Sequence, residues 1–227
     1  LSNDVNDTIR DQIKLATEAS IFEYSGNPGH QMDLAAYSSK GPSPIGLCKP
    51  DIVVPGTAFS SSALKKQNTT EALSTKSLSS MATPAAAGSC VLIRQFFVDG
   101  YYPSRKKDEK KSFIPSSFFI KAVIINSASP FKSSNYGPNI ETGFGSPDLS
   151  SSLLEPLRIV KNESIQSNEK HKYFINLNEK NNSLRVTLGY VDPPLAITST
   201  MPLFADLDLL IISPSGKVYI GNERPNR

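Results

Sequence analysis

Ser79-Ser80-Met81-Ala82-Thr83-Pro84-Ala85-Ala86-Ala87-Gly88 puts two hydroxyls at the mouth of an apolar stretch that continues to Val98 and stops at Asp99-Gly100. Small and apolar residues dominate 81–98, which predicts a helix apolar on nearly every side and hence buried. A serine at such a mouth has its own N–H, and those of the first turn, pointing outward without helical partners. With the positive end of the helix dipole, these groups can stabilise an oxyanion forming on a substrate carbonyl. Pro84 fits, since a first-turn residue has no carbonyl four back that needs its missing N–H. The residues alone leave two readings open: the N-cap serine of a core helix, or a nucleophile.

Working outward, the first 35 residues are polar, with one apolar patch at 13–16 and a turn-rich Ser25-Gly26-Asn27-Pro28-Gly29. Beyond Ser38-Ser39-Lys40-Gly41-Pro42, the run Lys49-Pro50-Asp51-Ile52-Val53-Val54-Pro55-Gly56 reads as a buried strand ending in a turn. On the other side, the charged stretch 105–111 reads as a solvated loop, and 116–127 as a second helix, apolar on one face and ending near Pro130. Composition shifts near Pro156. Four strand-like runs follow, at 173–177, 184–190, 207–212 and 217–220, separated by turn signals such as Pro193-Pro194 and Pro214-Ser215-Gly216. They predict part of an antiparallel sandwich, with fewer strands than a complete one needs.

The 227 residues are 38% hydrophobic and 20% charged, ordinary globular material with length for a real core. A net charge of +3, with no face of interleaved basic and aromatic residues, argues against a nucleic-acid partner. Strictly apolar runs such as Leu209-Leu210-Ile211-Ile212 fall far short of the ~20 residues of a membrane span, so no span is expected. No charged start and apolar stretch precede Leu1, which suggests a piece of a longer polypeptide and leaves the compartment open. Cys48 and Cys90 are too few and too far apart for a disulfide scaffold or a metal knuckle, and Cys90 reads as a buried free thiol. Glycosylation acceptor triplets begin at Asn6, Asn68, Asn162 and Asn181 and lean toward a secreted or lumenal protein.

Ser80-Met81-Ala82-Thr83-Pro84 with Ala87-Gly88 resembles the nucleophile motif of subtilisin-like serine peptidases, usually Gly-Thr-Ser-Met-Ala-Thr-Pro. Tyr37-Ser38-Ser39-Lys40-Gly41-Pro42 resembles the family's Phe-Ser-Ser-Arg-Gly-Pro, and Lys49-Pro50-Asp51-Ile52 with Pro55-Gly56 its Lys-Pro-Asp-x-x-x-Pro-Gly. Gly143-Phe144-Gly145 resembles the Gly-x-Gly that closes the catalytic domain. Leu188-Gly189-Tyr190-Val191-Asp192-Pro193-Pro194, Asp206-Leu207-Asp208-Leu209, Pro214-Ser215-Gly216 and Gly221-Asn222 resemble a β-sandwich appended in one subgroup. The resemblance spans about residue 35 to 222. It implies an α/β fold: the C-terminal portion of a subtilisin-like parallel-sheet domain over 1–157, then a partial antiparallel, jelly-roll-like β-sandwich over 158–227.

By that resemblance Ser80 is the nucleophile of a Ser-His-Asp triad acting on polypeptides. The family's chain order is Asp, His, Ser, which puts both partners well before residue 80. His171 follows Ser80 and reads as a solvated strand-edge residue, whereas His30 lies 50 residues before Ser80 without the His-Gly-Thr-His context of the family's base and reads as a loop histidine. The Asp, the His and the oxyanion Asn are therefore expected in polypeptide upstream of Leu1, because Gly26-Asn27-Pro28-Gly29 imitates the Asn turn but stands only 11 residues before Ser38. The segment 13–18 resembles the strand that intervenes in the family. Leu78 and Ser79 replace the usual Gly-Thr; leucine adds a branched side chain beside the cleft and would be barred outright were the backbone there at positive φ. Asp206 and Asp208, with Asp192, are the one candidate Ca²⁺ set, against a plain solvated strand pair, and Ala205 stands where the family has Asn. No other cofactor is implied. The alternative function is a catalytically inactive relative that binds polypeptides in the same cleft.

Overall fold

A computed structural model describes residues 33–44, 46–57, 59–62, 73–130, 138–154, 156–161, 163–177, 184–194 and 203–222. His30, Asn27, the segment 13–18 and all four glycosylation acceptors lie outside the described residues.

Helix α1, Ser79–Val98, stops as its sequence dictates. Gly100 takes φ +73, with its N–H on the Phe97 carbonyl (3.1 Å) while the Tyr101 N–H reaches the Phe96 carbonyl (3.0 Å). This is a Schellman closure, and its usual apolar contact is present as Tyr101 stacked on Phe96, 5.9 Å between centroids. Helix α2, Ser117–Ser127, starts where the Ser116 hydroxyl accepts the Phe119 N–H at 3.4 Å. The core lies between these helices. Ile93, Phe96 and Phe97 from α1 meet Val123 and Ile124 from α2, and Leu149 and Leu153 from the chain around a π-helical turn, Ser150–Leu154. Fully buried Phe97 has the rings of Phe96, Tyr102, Phe113 and Phe119 within 6.0 Å, two of them edge-on.

Burial of α1 is one-ended. Ile93, Phe96 and Phe97 are inside, but Thr83, Pro84, Ala87, Gly88 and Val91 are exposed, so the wholly buried helix expected from composition is not what forms. Composition reports what a helix can bury, whereas burial needs a neighbour, and among the described residues the neighbours crowd the C-terminal half. Cys90 is correspondingly half-buried rather than buried, with its thiol pushed up by desolvation. By length and composition α1 is the one helix among the described residues that could cross a membrane, a test that a globular core helix also passes. Thr83, Ser89, Arg94 and Gln95 interrupt the stretch, so no strictly apolar run marks it in the sequence.

The described strands form three two-stranded antiparallel sheets: β1 (Phe59–Ser62) with β2 (Leu73–Lys76), β3 (Ala128–Ser129) with β4 (Ser146–Pro147), and β5 (Leu210–Ile212) with β6 (Val218–Ile220). No parallel sheet forms among the described residues. Residues 49–56 make single bonds instead of a ladder, Val53 N–H to Gly145 O (3.0 Å) and Phe144 N–H to Asp51 O (2.9 Å). Pro50 and Pro55 have no N–H to give a ladder. The segment 105–111 is the expected surface loop, with a short 3₁₀ turn at Glu109–Lys111.

Of the four C-terminal strand predictions, two yield the β5–β6 hairpin, Leu210 opposite Ile220, closed by a turn in which Gly216 N–H meets Ser213 O at 2.9 Å. The other two, 173–177 and 184–190, form no strand among the described residues. Residues 184–190 pack on α2 instead. Arg185 donates to the Ala128 carbonyl (3.1 Å) at the helix end, and Asn126 donates to the Thr187 hydroxyl (3.0 Å). At Gly189 a Cβ would stand 3.0 Å from that of Ala122. A segment docked along a helix in this way is held by side chains, not by a strand partner.

Gly145, at φ +111, passes the Ser129 carbonyl so closely that a Cβ would overlap it. Gly145→Ala is therefore expected to destabilise by about 3 kcal/mol through combined strain and collision. The midpoint of urea unfolding checks this, and a shift equivalent to under about 1 kcal/mol would refute it.

Candidate active site

Four separated segments are linked in a chain of hydrogen bonds that reaches the start of α1. The residue before the helix, Leu78, is extended (φ −165, ψ 166) and has no side chain to cap with. Its N–H instead donates to the Gly56 carbonyl at 2.9 Å. Gly56 is buried, and a Cβ there would stand 2.8 Å from the Leu78 carbonyl oxygen and 3.3 Å from the Ala82 Cβ, so only glycine lets residues 55–57 approach the helix this closely. The Tyr37 hydroxyl donates to the same Gly56 carbonyl at 3.2 Å. Gly41 N–H to Ile140 O (2.7 Å) and the Lys40–Glu141 pair (2.5 Å) join the Ser-Ser-Lys-Gly-Pro segment to the loop ending in Gly143-Phe144-Gly145. That loop is in turn bonded to Asp51 and Val53.

Asp51 is the electrostatic tie of this group. It pairs with Lys49 (2.5 Å) and with Lys121 on α2 (3.1 Å). Burial pushes its carboxyl upward, but the hydrogen bonds and charges of the two lysines outweigh that and hold it below the ordinary carboxylate value. The Lys-Pro-Asp motif marked Asp51 in the sequence; nothing local marked Lys121, seventy residues on.

Ser80 stands in this frame as the second residue of α1, exposed and with no side-chain hydrogen bond among the described residues. The Ser79 carbonyl takes the Thr83 hydroxyl at 3.2 Å. No acidic side chain occupies the first turn, so the N–H groups there meet no competing carboxylate from their own helix. Pro84 is the sixth helical residue rather than a first-turn one, which corrects the sequence expectation. Its missing N–H leaves the Ser80 carbonyl without a donor four residues on. Leu78 is not at positive φ, so leucine carries no backbone strain there, and its side chain is 50% exposed.

The remaining candidates are placed elsewhere. His171 lies in no strand and is half-buried, with Glu169 at 3.1 Å and the Tyr173 hydroxyl at 3.4 Å, a local cluster within its own segment. Cys48 directs its thiol to the Asn139 carbonyl (3.7 Å), and Cys90 is half-buried in α1. Asp192 spends both carboxylate oxygens on backbone N–H groups, those of Phe204 (2.7 Å) and Ala205 (2.9 Å). Nearby Tyr190 donates to the Ala205 carbonyl, and its own ionisation is pushed up by burial and then by the charges of Asp192 and Asp206. Among the described residues no three His, Cys, Asp or Glu side chains gather as a metal would need.

The model of the subtilase family matches residues 20–172, more than half of the chain. Three relatives come from Dictyostelium discoideum. Serine protease/ABC transporter B family protein tagA is 32% identical over 82% of this chain and 12% of its own length. The proteins tagD and tagB, of the same description, are 36% and 34% identical over 53% and 44% of the chain, and 8% and 6% of their own lengths. The chain thus spans a small part of each relative. No solved structure matches it. With these motifs hydrogen-bonded to one another and the family model covering them, the chain belongs to the subtilase family of serine peptidases.

Proposed function

We propose that the chain carries the nucleophile-bearing part of a serine endopeptidase, with Ser80 attacking the substrate carbonyl to form an acyl-enzyme. The observation that carries this reading is the exposed Ser80 hydroxyl at an uncapped helix N-terminus, itself tethered through Leu78 to Gly56. In this reading a His outside the chain takes the Ser80 proton as Oγ bonds to the carbonyl carbon, and an Asp orients that His. The Ser80 N–H shares the oxyanion with an Asn side chain, also from polypeptide preceding Leu1. The His then returns the proton to the leaving amine, and water releases the acyl group. We assign 1–157 to the catalytic domain and 158–227 to part of an appended β-sandwich. The relatives' names join a serine protease to an ABC transporter, and this chain falls to the protease part, with polypeptides as its substrates.

Labelling the full-length protein with a fluorophosphonate probe and sequencing the modified peptide by mass spectrometry tests the assignment. The expected result is label on Ser80. Label on Ser79 would move the nucleophile, and label on neither serine would favour a relative that binds polypeptides without cleaving them. Leu78 gives a further expectation. It is unstrained and half-exposed beside the nucleophile, so what it does to catalysis is steric crowding of the cleft. Leu78→Gly in the full-length protein should raise kcat/KM several-fold, at a stability cost near 1 kcal/mol from backbone freedom and lost contact. Steady-state kinetics with unchanged or lower kcat/KM would reject the crowding.

A further inference from the structure

We infer that Tyr37 is a positioning residue for Ser80, acting through the Gly56 carbonyl; this rests on Ser80 being the nucleophile. The Gly56 carbonyl receives two donors, the Leu78 N–H at 2.9 Å and the Tyr37 hydroxyl at 3.2 Å. The Tyr37 oxygen also lies 3.1 Å from the Thr57 hydroxyl. A phenol has one proton, so with that proton on Gly56 the Thr57 hydroxyl donates to Tyr37. The result is a relay from Thr57 to Tyr37 to the Gly56 carbonyl, which the Leu78 N–H also reaches.

Leu78 has no capping side chain, so its backbone bond to Gly56 is what fixes the direction in which the chain enters α1. Ser80 is two residues further on. The Gly56 peptide lies close against the helix start, where even a Cβ would stand 2.8 Å from the Leu78 carbonyl oxygen and 3.3 Å from the Ala82 Cβ. It is kept from turning away by Tyr37 and by the Leu78 N–H. Loss of the hydroxyl frees one of these restraints and lets the first turn of α1 sample more orientations, which lowers the fraction of time Ser80 Oγ faces its base and the substrate carbonyl. The Tyr37 ring is 41% exposed and stays in place when only the oxygen is removed, so the change falls on positioning more than on packing.

The test is Tyr37→Phe in the full-length protein, read by kcat, KM, the rate of fluorophosphonate labelling of Ser80, and the unfolding midpoint. The expected result is a fall of about five-fold in both kcat and labelling rate, the scale of one hydrogen bond, with KM within two-fold and the midpoint nearly unchanged. Thr57→Val should act in the same direction and more weakly, and the double variant should be no worse than Tyr37→Phe. Unchanged kcat and labelling in Tyr37→Phe, with Ser80 labelled normally in the parent, would overturn the positioning role alone. A fall in activity that merely tracks a lowered midpoint would also overturn it. Absence of label on Ser80 in the parent would instead overturn the nucleophile assignment and the inference with it.

Discussion

Ser80→Ala in the full-length protein is expected to lower kcat/KM by a factor of about 10⁴ or more, the scale of removing one member of a catalytic triad. Ser79→Ala is expected to leave it within a few-fold. The two hydroxyls are adjacent on the first turn of α1, and one residue along a helix rotates a side chain by ~100°. A base placed to take the proton of one cannot serve the other. Both serines are exposed, so what separates them is the direction of the side chain on the helix and not its burial. Hydrolysis of a fluorogenic peptide by the two variants, each compared with the parent, is the measurement. Equal losses would mean that the serines act by shaping the turn, and a large loss only in Ser79→Ala would reverse their roles.

The chain of residues 1–227 by itself is expected to show no peptidase turnover, several orders of magnitude below the full-length protein. A serine hydroxyl is a weak nucleophile at neutral pH and needs a base within hydrogen-bond reach. His171 is described and is engaged locally with Glu169 and Tyr173, and His30 lacks the family's sequence context. On the proposed reading, helix N-terminal N–H groups without a triad leave only residual catalysis. Incubation of the purified chain with a broad fluorogenic peptide set checks this. Turnover that disappears in Ser80→Ala would show that the chain holds a working base and would sink the expectation.

Where elements stop and turn was legible in the sequence. Asp99-Gly100 ends α1 and Pro214-Ser215-Gly216 turns the β5–β6 hairpin, since each needs only residues a few positions apart, whereas the Ser116 cap of α2 falls inside the helix read from the sequence. The family was legible as well, because Tyr37-Ser38-Ser39, Lys49-Pro50-Asp51, Ser80-Met81-Ala82-Thr83-Pro84 and Gly143-Phe144-Gly145 are short motifs in a fixed order.

Other features required the assembled chain. Residues 49–56 look like a buried strand, yet they bond singly to a loop and a helix start, because pairing depends on what lies alongside. Residues 184–190 have strand composition but are taken up along α2 by Arg185, Thr187 and Gly189. The buried residues of α1 all lie in its C-terminal half, since burial is a property of neighbours and not of the helix. The sequence by itself determined the family, the helix that presents Ser80 and the places where elements stop. Tertiary structure alone decided that Tyr37, Gly56 and Leu78 would share one carbonyl and that Lys121 would reach Asp51, because contacts across 19 to 70 residues arise from packing that no local pattern encodes.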